Sequence, residues 1–159
     1  IIGGNVEMAE SFIGQGKILC TPTQMAQVAA VIANDGNMVT PYIVQKVVSP
    51  LGTVKNMMPK VDTTQVISPE VANKIKDLMV GVVRDGTGTA AAIKGIEVAG
   101  KTGSAENPHG KAHAWFIGFA PAQNPQIAVA VIVENGGSGG AVAAPIARSV
   151  MLQYLTDEK

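Results

Sequence analysis

The chain has 159 residues, 47% hydrophobic, 15% charged and 4% aromatic, with twelve basic residues balancing twelve acidic ones. This composition excludes disorder and suffices for one domain with a core of Ala, Val, Ile, Leu and Met. With no block of like charge, the basic footprint of a nucleic-acid binder is missing, and nucleic acid is excluded as a partner.

The chain opens Ile1-Ile2 with no leader visible, which reads as a processed chain or an excised piece. Cys20 is the only cysteine, so an intramolecular disulfide and a thiolate metal cluster are both excluded. Its setting in KILCTP reads as that of a small buried hydrophobe.

The first clear element is a helix in CTPTQMAQVAAVIANDG. Thr21 is its N-cap, Pro22 its first residue and Gln24 the partner in a capping box, and Asn34-Asp35-Gly36 ends it. Met25, Val28, Ala29, Val31 and Ile32 make it apolar on most sides, which predicts burial. MVTPYIVQKVVSP then reads as an extended segment broken at Pro41 and closed at Pro50-Leu51-Gly52. A second helix opens at Ser68-Pro69-Glu70 with Val71, Ile75, Leu78, Met79 and Val82 on one face, and stops at RDGTGT.

Three strand-like segments follow, at 96–105, 113–120 and 126–134. The short connection 121–125 predicts a hairpin between the last two, and the apolar third segment reads as a central strand. The glycine-rich NGGSGG precedes a last helix over 144–156, whose expected buried stripe is Ile146, Val150, Met151 and Leu155. The fold class is α+β, an antiparallel sheet flanked by helices.

Within GIEVAGKTGSAE, two chemistries claim Lys101. Counted from Gly95, the spacing matches a phosphate-binding P-loop. That loop needs a buried strand before it and a helix after its lysine. Gly103, Pro108 and Gly110 oppose a helix, and the loop IEVA is β-prone, so the match reads as accidental. Counted from Lys101, the stretch is Lys-Thr-Gly-Ser on a strand. There Lys101 supplies positive charge, Gly103 lets a ligand lie flat, and Thr102 and Ser104 supply hydroxyls able to bind a carboxylate. Strict alternation sends Lys101 to one face and Thr102 with Ser104 to the other.

Lys-Thr-Gly has company in this chain. IGQGKILCTPTQMAQVAAVIANDG, HAWFIGFAP and PQIAVAVIVENGG stand around it in an order that resembles the penicillin-binding proteins. More specifically, they resemble the transpeptidase domain of the class B members. The resemblance implies a β-lactamase/transpeptidase-like fold and a bacterial D,D-transpeptidase that cross-links peptidoglycan through a serine acyl-enzyme and is acylated by β-lactams. It implies Lys101, Thr102, Gly103 and Ser104 as the substrate-binding strand. Of these, Lys101 and Ser104 are the catalytic pair, with the Ser104 amide one oxyanion-hole donor. The implied partners are the D-Ala-D-Ala stem peptide, β-lactams, the N-terminal remainder of the same protein and other cell-wall synthesis proteins. The implied location is the cell membrane, with the catalytic domain on its outer side and the anchor outside this chain. No cofactor is implied.

One departure stands out. None of the serines, at 11, 49, 68, 104, 138 and 149, begins the Ser-x-x-Lys or Ser-x-Asn motif of that superfamily. The chain therefore reads as the C-terminal portion of a transpeptidase domain, 1–159 throughout, inactive alone because its nucleophile lies elsewhere. Alternatives are a serine β-lactamase, a β-lactam sensor and, more remotely, a nucleotide binder. His109 and His113 are four apart, but Asn107, Pro108 and Gly110 make the helix that such a zinc pair needs unfavourable, so no metal site is expected. Gly14-Gln15-Gly16 reads as a tight turn near the site, and of Trp115 and Phe116 at least one is expected in the core.

Overall fold

The computed structural model describes residues 4–56 and 62–157. Its organising element is a three-stranded antiparallel sheet of β5 (Ala99–Ala105), β6 (His113–Ala120) and β7 (Ile127–Val133), in the order β5-β6-β7. The registers Thr102↔Phe116 and Phe116↔Val131 place these three side chains on one face, because directly opposed residues share a face. Lys101, Ile117 and Ala130 share the other.

Each face carries its own core. On the Phe116 face, Ala114, Phe116 and Val129 pack with Ala144, Ala147 and Met151 of the last helix, α4 (Ala144–Asp157). On the other, Ala99 and Phe119 pack with Ala29 and Ile32 of α2 (Pro22–Ala33) and with Met79 and Val80 of α3 (Pro69–Arg84). A 3-10 turn (Thr89–Ala91) joins α3 to the sheet, and a π-type turn (Gly139–Ala143) leads into α4. Two outlying pairs complete the described structure: β1 (Asn37–Val39) with β4 (Thr63–Gln65), and β2 (Lys46–Val48) with β3 (Val54–Asn56). The α+β expectation holds.

The capping box is formed as expected. The Gln24 amide donates to Thr21 Oγ1 at 3.2 Å, and Thr21 N–H donates to Gln24 Oε1 at 2.8 Å. Thr21→Ala removes one half of this exchange, an expected loss of about 1 kcal/mol. A thermal melt would read it as a drop of about 2–4 °C.

Several expectations need correction. A further helix, α1 (Asn5–Phe12), starts after Gly4 without a side-chain cap and buries none of its residues, so neither signal used for helices was present. Burial of α2 is narrower than its composition implies, with Val28 44% exposed. In α3 the buried residues are Ala72, Met79, Val80 and Val83, whereas Val71 and Leu78 are exposed. The apolar arc of this helix is broad, running from Leu78 round to Val80, and packing buries the side that carries Ala72 and Val83, so periodicity alone did not centre the face. In α4, Ile146 and Val150 are exposed, and the small Ala144 and Ala147 let the helix sit close on the sheet with Met151. Among the described residues β7 is an edge strand, not a central one. Its apolar character has a different cause, for α2 and α4 cover its two faces. Cys20 is exposed.

Candidate active site

Lys101, Thr102, Gly103 and Ser104 all lie in β5, whose other edge pairs with no strand among the described residues. No helix follows Lys101: the P-loop spacing starts in a turn at Gly95 and ends inside β5, so it has no anion-binding helix end to serve.

Backbone direction along β5 can be read from its contacts. The side chain of Gln15 donates from Nε2 to the Ser104 carbonyl at 3.2 Å, and its Oε1 accepts from the Glu106 amide at 3.1 Å. These groups must face away from β6, since a ladder occupies the other side. In an extended strand the N–H and C=O of one residue point the same way and alternate by residue. The amides and carbonyls of Thr102 and Ser104 therefore open onto the free edge, and those of Gly103 point to β6. Lys101 Nζ donates to the Thr102 carbonyl, which brings its ammonium to that same edge.

The side chains divide as alternation requires. Lys101 lies on the α2 face, while Thr102 and Ser104 lie on the α4 face. Thr102 is buried, and its hydroxyl shares a 2.6 Å hydrogen bond with that of Thr87. Ser104 is exposed and accepts from the Gly139 amide at 3.3 Å. Gly139 lies flat on the β5–β6 ladder, where an added Cβ would sit 2.3 Å from the Gly103 oxygen and 2.4 Å from the Trp115 oxygen. At Gly140 a Cβ would stand 2.3 Å from the Thr87 oxygen. Three glycine-bearing stretches, Gly86-Thr87-Gly88, Thr102-Gly103-Ser104 and Ser138-Gly139-Gly140, thus converge at one place.

Thr87 had no motif to announce it, although the glycines around it read only as a helix stop. Thr87→Val leaves the buried Thr102 hydroxyl without its partner and should cost about 1–2 kcal/mol in a denaturant titration, with Thr87→Ser close to wild type. At the end of α3, Asp85 raises the Arg84 pKa above its ordinary value through their hydrogen bond and then its charge.

The neighbouring expectations resolve as follows. Gly14 and Gly16 have φ of +75° and +80°, the left-handed region that favours glycine, and they form the expected turn. Phe116 is fully buried, whereas Trp115 is partly exposed opposite Gly103. His113 opens β6 and its Nδ1 accepts from the Asn135 amide at 3.0 Å; His109 lies in the preceding turn. No cluster of metal-ligating side chains occurs among the described residues. Among the same residues, no helix is long and apolar enough to cross a membrane.

Comparison with known proteins places this geometry in context. A family model described as the penicillin binding protein transpeptidase domain matches residues 4–152. The peptidoglycan D,D-transpeptidase PbpA of Mycolicibacterium smegmatis is 45% identical, over 92% of this chain and 32% of its own length. The stage V sporulation protein D of Bacillus subtilis is 38% identical, over 97% of this chain and 25% of its own. Among solved structures, that of PBPA from Mycobacterium tuberculosis superposes with a TM-score of 0.83 at 40% identity, covering 94% of this chain and 38% of that one. Its penicillin G acyl-enzyme complex gives a TM-score of 0.83 at 40% identity, covering 98% and 36%. The chain spans about a third of the length of the first curated relatives it matches.

Proposed function

This chain belongs to the penicillin-binding protein transpeptidase family, and from that membership we propose that it is the C-terminal portion of a class B peptidoglycan D,D-transpeptidase. The observation that carries the reading is the Lys-Thr-Gly-Ser strand presented along an unpaired sheet edge.

In this reading a serine from another segment of the protein attacks the penultimate D-Ala carbonyl of a stem peptide. The peptide bond breaks, D-Ala leaves with a proton, and the serine holds the acyl group. An amine of a second stem peptide then attacks the ester, forms the new amide and frees the serine. The donor peptide lies along the outer edge of β5 as an added strand. Lys101 attracts its terminal carboxylate, and the exposed Ser104 hydroxyl, on the other face of β5, is a further hydrogen-bond donor to it. The Ser104 amide is one oxyanion donor, supported by its direction toward the free edge. Thr102 is assigned to the edge through its backbone groups, because its hydroxyl is shared with Thr87. Gly103 keeps the strand flat beneath the ligand.

β-Lactams enter as mimics of the D-Ala-D-Ala end. The substrate is extracytoplasmic in this reading, and the enzyme is held at the cell membrane and works beside other cell-wall synthesis proteins. The test is D-Ala release from a stem-peptide donor by the full-length protein, with penicillin G as inhibitor. Release blocked by a persistent penicillin adduct is expected. Rapid turnover of penicillin with no D-Ala release would instead make the protein a β-lactamase.

A further inference from the structure

Among the described residues, the side chain of Gln15 reaches the outer edge of β5 from a distant part of the chain, 89 residues before Ser104. It is the least exposed residue of the stretch 12–20, the rest of which is exposed. Left-handed glycines on both sides and a 2.9 Å bond from its own amide to the Glu10 carbonyl fix the turn that aims it. Its carboxamide donates to the Ser104 carbonyl and accepts from the Glu106 amide. This is the exchange that the N–H and C=O of one residue in an added parallel strand would make with residues i and i+2.

We propose that Gln15 is a positioning residue for acylation: its carboxamide bonds the outer edge of β5 at Ser104 and Glu106 and holds the Ser104 backbone in register. The inference rests on the transpeptidase reading. A carbonyl oxygen accepts two hydrogen bonds, so the Ser104 carbonyl keeps a lone pair for a ligand. The orientation of the Ser104 amide is set by the pinned carbonyl of the same residue, and a misplacement of about 1 Å in such a group costs up to about 100-fold in rate.

The test uses the full-length protein and stopped-flow acylation by a chromogenic cephalosporin, which separates initial binding from the acylation step. Gln15→Leu keeps the bulk and removes both hydrogen bonds. The acylation step should slow about 10- to 100-fold, with initial binding and melting temperature near wild type. Gln15→Glu adds a readout that a mere structural tether would not give. Ionised, the new carboxylate offers only acceptors to the Ser104 carbonyl; protonated, it donates as the amide does. Its acylation rate relative to wild type should therefore recover as pH falls toward about 4–5, the ordinary range of a glutamate. The charged groups around it are Glu7, Glu10 and Lys17 on its own segment, with Glu7 paired to Lys17, Lys101 on β5 and Glu106 just past the end of that strand.

Wild-type acylation rates in Gln15→Leu, a loss confined to binding, or a Gln15→Glu defect that ignores pH would each overturn the proposal. A wild-type protein that no β-lactam acylates would overturn the transpeptidase reading beneath it.

Discussion

In the full-length enzyme, Lys101→Ala is expected to slow acylation by penicillin about 10²- to 10³-fold, the loss typical of removing one preorganised electrostatic partner from a reacting site. Its stability should remain within about 0.5 kcal/mol of wild type, as for other exposed positions without a structural partner. Both halves of the expectation come from the same geometry. Lys101 is exposed and forms no ion pair among the described residues; its ammonium meets only the edge-facing carbonyl of Thr102. Nothing in the core depends on it, while a carboxylate arriving along the β5 edge would find it as the cation of that edge. Stopped-flow acylation beside a thermal melt separates the two. A Lys101→Ala protein that acylates at the wild-type rate removes the lysine from the site, and one that fails to fold gives it a structural role that its exposure contradicts.

The second large effect is expected at Gly139→Ala. A methyl group there would press on the oxygens of Gly103 and Trp115 at 2.3 and 2.4 Å and on the Gly103 nitrogen at 2.9 Å. All three are backbone atoms in the β5–β6 ladder, so no side chain can swing aside. Either the turn lifts off the sheet and loses the bond from its amide to Ser104 Oγ, or β5 bends. Overpacking of this kind costs about 1–3 kcal/mol or more. Acylation should fall with it, because the strand displaced is the one that carries Lys101 and Ser104. Gly81→Ala is the control, since a Cβ there meets nothing within 4 Å and α3 gains helix propensity. Equal melting temperatures for the Gly139→Ala protein and wild type would show that the turn is not seated on the ladder.

What the residues disclosed about this architecture follows the strength of their local signals. Thr21-Pro22-x-Gln24 and Ser68-Pro69 are helix starts with a stereochemical reason, and both helices begin there. The hairpin of β6 and β7 was legible from two long β-prone runs joined by a short connection bracketed by Pro121 and Pro125. Of the outlying strands, β1 and β2 flank Pro41 in the segment read as extended, whereas Val54–Asn56 and Thr63–Gln65 were not legible, being three residues long with no period. Helix faces failed where alanine did the packing: Ala72, Ala144 and Ala147 are fully buried, yet larger neighbours such as Leu78 and Ile146 drew the stripe toward themselves.

At the site, alternation along β5 was enough to separate Lys101 from Thr102 and Ser104. Of the partners that hold these residues, the Gln15 turn was placed near the site but its bonds were not, and Thr87 and Gly139 were out of reach, since all three come from different turns. Turn glycines announce that a backbone is unusual, and only the folded chain says what it approaches.

The central claim is that these residues form the ligand-binding wall of a transpeptidase whose nucleophile lies in another segment. The most direct measurement is peptide mapping of the covalent adduct that fluorescent penicillin forms with the full-length protein, alongside the same labelling of the 159-residue chain alone. The account predicts an adduct on a serine outside this chain, and none on the chain by itself. An adduct on Ser104, or on any other serine between Ser11 and Ser149, would contradict it.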